Sequence, residues 1–328
     1  MPIGRVQRAP ASRVRVIDRA LLTNPLSPPA TTLNRAGRFA LPFPSSRALV
    51  AVQSSVARVL RQVRAEPVQG RHHPTNGRAS NPGSTQVSAT LKRAFSPLVE
   101  AMGSYYEDRL FGSELQQVYD LVSPRIRQYL DAEVNYVIGQ VQGASRVLEL
   151  GCGYGRVLRE VAPHVVRIAG NDISRASLEL AASYLRPLRN CDLFRMDASK
   201  LAFGDDLFDA VICIQNGISA FGRNRHELVA EAVRVAKTGG VILFSTYSPR
   251  IWAARLDWFR AQSRAGLLGE IDESRTMNGT IVCKDGFRAT TVGGEEFRAL
   301  FAEVGLAATV REVDGSSIFA RVVKNGQG

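Results

Sequence analysis

The sequence predicts an α/β protein: a doubly wound, seven-stranded, mostly parallel sheet with an antiparallel C-terminal hairpin and helices on both faces. Three observations point there. Short apolar runs at 147–150, 165–169, 193–196, 210–214 and 241–244 alternate with segments of helical period. The runs are predominantly apolar, as strands buried on both faces are, and strands of that kind belong to parallel sheets covered by helices. Near the end, AATVREVDGSSIFARVV places two strand-like runs around Asp314-Gly315, a strong hairpin turn, so the sheet should finish antiparallel.

Each element has a local reason. Ser123-Pro124 is an N-cap followed by proline at the first helical position, and Ile126, Leu130, Val134, Val137, Ile138 and Val141 then recur at helical spacing. Helices are expected over 174–185, 226–236 and 294–304 by the same periodicity. Residues 247–292 form a long insertion carrying Trp252, Trp258 and Phe259, with a second hairpin signal at Asp285-Gly286. Insertions on the carboxyl side of such a sheet cover or shape a pocket.

Charge divides the chain in two. The formal net charge of +12 invites a nucleic-acid or membrane partner, but residues 1–100 hold 14 Arg and one Lys against Asp18, Glu66 and Glu100. That leaves 27 basic and 27 acidic residues in 101–328, so a neutral domain, 102–328, follows a basic leader, 1–101. The leader is rich in Arg, Ser and Pro and is expected to be poorly ordered, either as an organellar transit peptide or as upstream sequence read from an early start. No apolar run approaches the ~20 residues of a membrane span. Cys152, Cys191, Cys213 and Cys283 are widely spaced and signal neither a metal site nor a disulfide framework. No metal is expected, and the cytoplasm is the default compartment, an organelle the alternative if the leader is a transit peptide.

The candidate ligand site follows from the ends of the strands, where doubly wound sheets bind. The first run ends in Glu149-Leu150 and the loop Gly151-Cys152-Gly153-Tyr154-Gly155, whose exposed amides precede a helix. This is not the dinucleotide fingerprint, because Arg156 stands where its last glycine would fall. By itself the loop is equally a phosphate cradle, another cofactor site or a tight turn. The second strand ends at Asp172, a carboxylate able to accept from both hydroxyls of a ribose. The third ends at Asp197-Ala198, where a carboxylate or backbone amides can bond an adenine edge. The fourth ends at Gln215-Asn216, side chains that donate and accept where a reacting group would sit.

Taken in order, VLELGCGYG, VVRIAGNDIS, CDLFRMDASKLAFGDDLFDAVIC and EAVRVAKTGGVILFS resemble the motifs of the class I S-adenosylmethionine-dependent methyltransferases, over about 124–248 and, through the closing hairpin, most of 124–323. The resemblance implies S-adenosyl-L-methionine as cofactor. It would set Gly151, Gly153 and Gly155 around the methionine part, Glu149 near its amino group and Asp172 on the ribose. Asp197 and Ala198 would hold the adenine, with Gln215 and Asn216 at the edge where donor meets acceptor. Lys237-Thr238-Gly239-Gly240 departs from the family's Lys-Pro-Gly-Gly at a position that orients a turn.

Methyl transfer from a sulfonium is an in-line displacement of an already activated group, so alignment and desolvation are the main tasks. A base is needed only if the acceptor must lose a proton. Asn216, Tyr106 and His226 are the candidate catalytic residues, with Tyr105, Tyr119 and Tyr247 as further candidates for orientation. CIQNGISAF lacks the Pro-Pro-aromatic signature of amino-methylating nucleic-acid enzymes and the Pro-Cys nucleophile of cytosine methylators, which makes Cys213 a core residue. A neutral domain also lacks a backbone-binding surface. A small-molecule acceptor is therefore expected and nucleic acid disfavoured. The alternatives are an RNA or protein methyltransferase docking through the leader, a non-catalytic cofactor-binding scaffold, and a nicotinamide oxidoreductase.

Overall fold

The computed structural model describes residues 16–18, 105 and 109–326. The chain divides into two units, Met1–Pro25 with Ser96–Gly328, and Leu26–Phe95, the second lying wholly outside the described residues. Its first element is a three-residue strand, β1 (Val16–Asp18). Helix α1 (Gly112–Asp120) follows, then α2 (Pro124–Val141), which starts as its sequence predicts: Ile126 N donates to the Ser123 hydroxyl at 3.3 Å and Pro124 takes the first turn. The main body runs β2 (Arg146–Leu150), α3 (Arg156–Val161), β3 (Arg167–Asp172), α4 (Arg175–Tyr184), β4 (Cys191–Arg195), β5 (Phe208–Cys213), the short α5 (Gly217–Ala220), α6 (Arg225–Val235) and β6 (Ala236–Tyr247). The insertion supplies α7 (Trp252–Arg264) and the hairpin β7 (Ile281–Val282) and β8 (Arg288–Ala289). Helix α8 (Gly294–Ala302) and the strands β9 (Thr309–Val313) and β10 (Ser317–Val323) complete it.

The sheet order is β1-β4-β3-β2-β5-β6-β10-β9, parallel from β1 to β6 and antiparallel across β6-β10-β9. The seven expected strands are present, and the leader adds an eighth. Val16 and Ile17, β-branched and therefore suited to a pleated edge, pair in parallel with Leu193 and Phe194 of β4. Residues 16–18 of the leader thus form the edge of the sheet, and its other residues, on which the expectation of poor order falls, lie outside the described ones. Two boundaries also move. The second strand starts at Arg167 because Ala162–His164 forms a 3-10 turn, and β6 starts at Ala236 because Gly239 N donates to the Lys324 carbonyl and Lys324 N to the Gly240 carbonyl, which draws the Lys237-to-Gly240 turn into the sheet.

Alternation along the strands fills both faces. Leu148, Val211, Cys213 and Phe244 pack under Leu228 of α6 and Phe297 and Phe301 of α8. Their neighbours Val147, Ile212 and Leu243 face Val137 of α2, Leu158 of α3 and Leu178 of α4. Cys213 is fully buried, a core residue as its apolar flanks suggest. A third cluster, with Tyr129, Tyr247, Trp258, Phe259 and Phe287, fastens the insertion to α1 and α2. Among the described residues no helix is long and apolar enough to cross a membrane.

Candidate active site

Strand order reverses between β2 and β5, and the carboxyl ends of the parallel strands open there into one cleft. Glycine chemistry shapes its floor. Gly151, Gly153 and Gly155 all have positive φ, at 71°, 52° and 88°, a conformation that L side chains adopt only with strain. At Gly151 a Cβ would also stand 2.3 Å from the Phe221 ring. Gly151 N and Cys152 N donate to the Asn171 carbonyl, each at 2.9 Å, so the loop is pinned to the end of β3.

Four successive strand ends converge. Glu149, Gly151, Gly153, Asp172, Asp197, Ala198 and Gln215 line the cleft, as their positions predict. Asp172 accepts from Gly153 N at 2.9 Å and from Ser174 N at 2.8 Å, which fixes its carboxylate between loop and helix. Asp197 accepts from the amide and hydroxyl of Ser199 and bridges to Arg223 at 2.9 Å, so its carboxylate is engaged across the cleft rim while Ala198 forms the wall beside it. Gly155 lies behind the lining, as the left-handed residue that starts α3, close against Leu185.

Two residues fall elsewhere. Asn216 is 5% exposed, and both ends of its amide are engaged: Thr246 Oγ1 donates to Oδ1 and Nδ2 donates to the Thr290 carbonyl, both at 2.8 Å. It therefore supports the fourth-strand loop from behind, and of the pair it is Gln215 that lines the cleft. His226 projects from the start of α6 to Glu303 at 2.5 Å, more than half exposed and away from the cleft; its position was fixed by helix phase, not by the site. Tyr106 lies outside the described residues. Tyr105 donates to Asp285 of the β7–β8 turn at 2.9 Å, whereas Tyr119 and Tyr247 do line the cleft.

The site has unmet polar atoms. Glu149 is 4% exposed and its Oε2 has no partner; burial pushes the carboxyl up to about 8, with the Arg156 charge pulling the other way. Arg156 also lines the cleft, its guanidinium over the Tyr119 ring at 5.1 Å, with Nε and one terminal nitrogen buried and unpartnered. Asn171 Oδ1 is a further buried acceptor without a donor. The Tyr119 hydroxyl donates to Gln215 Oε1 at 2.8 Å, and burial raises its own pKa, so it is held as a neutral donor.

Sequence reading missed four of these groups. Arg156 was noticed only as the absence of a glycine, and Asn171 only as the neighbour of Asp172. Gln262 of the insertion lines the cleft 2% exposed. Glu133 is fully buried in α2 and supports the Gln215 loop through Ser245. Both had a signal. Glu133 lies three residues after Leu130 and four before Val137, and Gln262 four after Trp258, so each interrupts an apolar stripe on its helix.

Residues 147–240 match a family described as a methyltransferase domain. A phthiotriol/phenolphthiotriol dimycocerosates methyltransferase of Mycobacterium ulcerans is 32% identical over 106 residues, 32% of this chain and 38% of that protein. A demethylmenaquinone methyltransferase of Tropheryma whipplei is 28% identical over 155 residues, 45% of this chain and 62% of that one. The chain thus spans less than two thirds of the length of either curated relative. A solved protein of Pyrococcus horikoshii shares the fold, with TM-score 0.50 at 22% identity over 63% of this chain and 94% of that one.

Proposed function

We propose that the chain, whose residues 147–240 match a methyltransferase domain, transfers a methyl group from S-adenosyl-L-methionine to a small-molecule acceptor. The observation that carries the reading is the convergence of Glu149, Asp172, Asp197 and Gln215, each at the end of a different parallel strand, in one cleft with buried polar atoms that lack partners. The orphaned groups suit this cofactor. The unpaired Glu149 Oε2 is an acceptor for an ammonium group, and the unpaired Arg156 nitrogens are donors for a carboxylate. Asp172, oriented by two amides, is the carboxylate placed to accept from ribose hydroxyls. Beside it the Asp197–Ala198 wall receives the adenine.

When bound, the cofactor supplies a methyl group activated by its positive sulfur. What this chain adds is alignment and a dry surrounding, which can lower a barrier by up to ~7–11 kcal/mol. Gln215 stands at the junction, locked by Tyr119 on one side and by Ser245 on the other. Tyr247, Trp258 and Phe259 of the insertion enclose the acceptor end and exclude water. Tyr119 serves as an orienting donor and not as a base. The names of the two curated relatives, a demethylmenaquinone methyltransferase and a phthiotriol/phenolphthiotriol dimycocerosates methyltransferase, support a small-molecule acceptor. Calorimetric titration of the protein with S-adenosylmethionine tests the reading. Micromolar binding that is lost in Asp172→Ala is expected, and absence of binding by the folded wild-type protein would overturn it.

A further inference from the structure

The acceptor end of the cleft has its own chemistry. Tyr247, Trp258 and Phe259 give it aromatic walls, and Val118 adds an aliphatic one. Trp258 is fixed in place because its indole N–H donates to the Val118 carbonyl at 3.0 Å, so α7 and α1 hold the walls together. Within this apolar surround stand two carboxamides. Gln262, one turn after Trp258 on α7, is 2% exposed, and its Nε2 is buried without a hydrogen-bond partner. Gln215, from the end of β5, takes the Tyr119 hydroxyl on Oε1, which leaves its Nε2 as the unpartnered end. Buried donors without acceptors are rare in native proteins and call for a partner.

We propose that Gln262 and Gln215 form the acceptor subsite, their two N–H₂ groups donating to an oxygen on a flat, largely apolar acceptor, a ring carbonyl or a phenolate. The assignment rests on the methyl-transfer reading and specifies its substrate class. Two N–H₂ donors select an oxygen that only accepts and disfavour an amine, whose hydrogens would meet hydrogens. Aromatic residues in the wall select a flat ring over a flexible polyol. Gln262 comes from the insertion and Gln215 from the core, so the preference is set where the cofactor-binding sheet meets its cover.

The test uses the full chain. The probes are 2-hydroxy-1,4-naphthoquinone and 1-naphthylamine, one offering acceptor oxygens and the other an amine on the same ring system. Binding is read by quenching of tryptophan fluorescence, to which Trp252 and Trp258 both contribute, in the presence of S-adenosylhomocysteine. The wild type should bind the quinone at least tenfold more tightly than the amine. Gln262→Leu, or Gln262→Met should the first variant fail to fold, should weaken the quinone about tenfold and leave the amine within twofold. Equal or reversed preference in the wild type, or quinone binding unchanged in a folded variant, overturns the proposal. Calorimetric titration with S-adenosylmethionine on the same samples separates the two readings. Cofactor binding intact with no quinone preference sinks the subsite alone, and loss of cofactor binding in the wild type sinks the methyl-transfer reading.

Discussion

The Ser245 hydroxyl donates to Glu133 Oε1 at 2.7 Å and accepts from Gln215 N at 2.9 Å, so a fully buried carboxyl on α2 holds the reacting edge of the cleft through one oxygen atom. The arrangement has a reason in the backbone. Gln215 and Asn216 both have positive φ, at 56° and 61°, unfavourable for residues with side chains. Ser245, Thr246 and Thr290 each bond this pair and keep it there.

Ser245→Ala should therefore loosen the loop. It leaves Gln215 N and Glu133 Oε1 without partners in the interior, for a loss of about 2–3 kcal/mol of stability. Turnover should fall more than cofactor affinity does, because the loop sits where acceptor meets donor. Chemical denaturation and steady-state kinetics on the variant check both.

Glu133 predicts a pH dependence. Burial raises its carboxyl to about 7, above an ordinary 4.5, and hydroxyl donors such as Ser245 only partly offset the shift. A raised carboxyl contributes stability that is fully present below the unfolded value and is lost as pH rises through the folded one. Relative to Glu133→Gln, the wild type should lose on the order of 3 kcal/mol between pH 4.5 and pH 7 and little more above that. Denaturant midpoints of both proteins at pH 5 and pH 8 give the answer.

Glu149 predicts a proton release. Its carboxyl, pushed up to about 8, is mostly protonated at neutral pH, and an ammonium group beside it would favour the ionised form. Affinity for S-adenosylmethionine should thus rise with pH towards 8 and level off above it, whereas in Glu149→Gln it should be weaker and flat. Calorimetry in buffers of different ionisation enthalpy counts the protons released.

Gly151→Ala should damage the cleft floor. The site demands φ +71° and a Cβ there would stand 2.3 Å from the Phe221 ring. Left-handed strain of roughly 1–2 kcal/mol and a displaced ring add, for about 2–4 kcal/mol in all. Gly151→Ala/Phe221→Ala should recover the steric part and not the backbone part, as thermal unfolding would read.

Local chemistry determined a great deal here. Apolar runs, the Ser123-Pro124 start and the Asp314-Gly315 turn act over a few residues, so the alternation of strands and helices, the start of α2 and the carboxylates at the end of β3 and just past β4 could be read from the chain. The tertiary structure decided which side chains face the cleft. Asn216 turns away because Thr246 and Thr290, 30 and 74 residues distant, consume its amide, and His226 goes to Glu303. Gln262 and Arg156 come to line the cleft, and Glu133 comes to support it through Ser245, because elements far apart in the chain are brought together there. Hydrophobic periodicity sets which face of an element is buried; what a buried polar group meets there depends on elements brought from far along the chain.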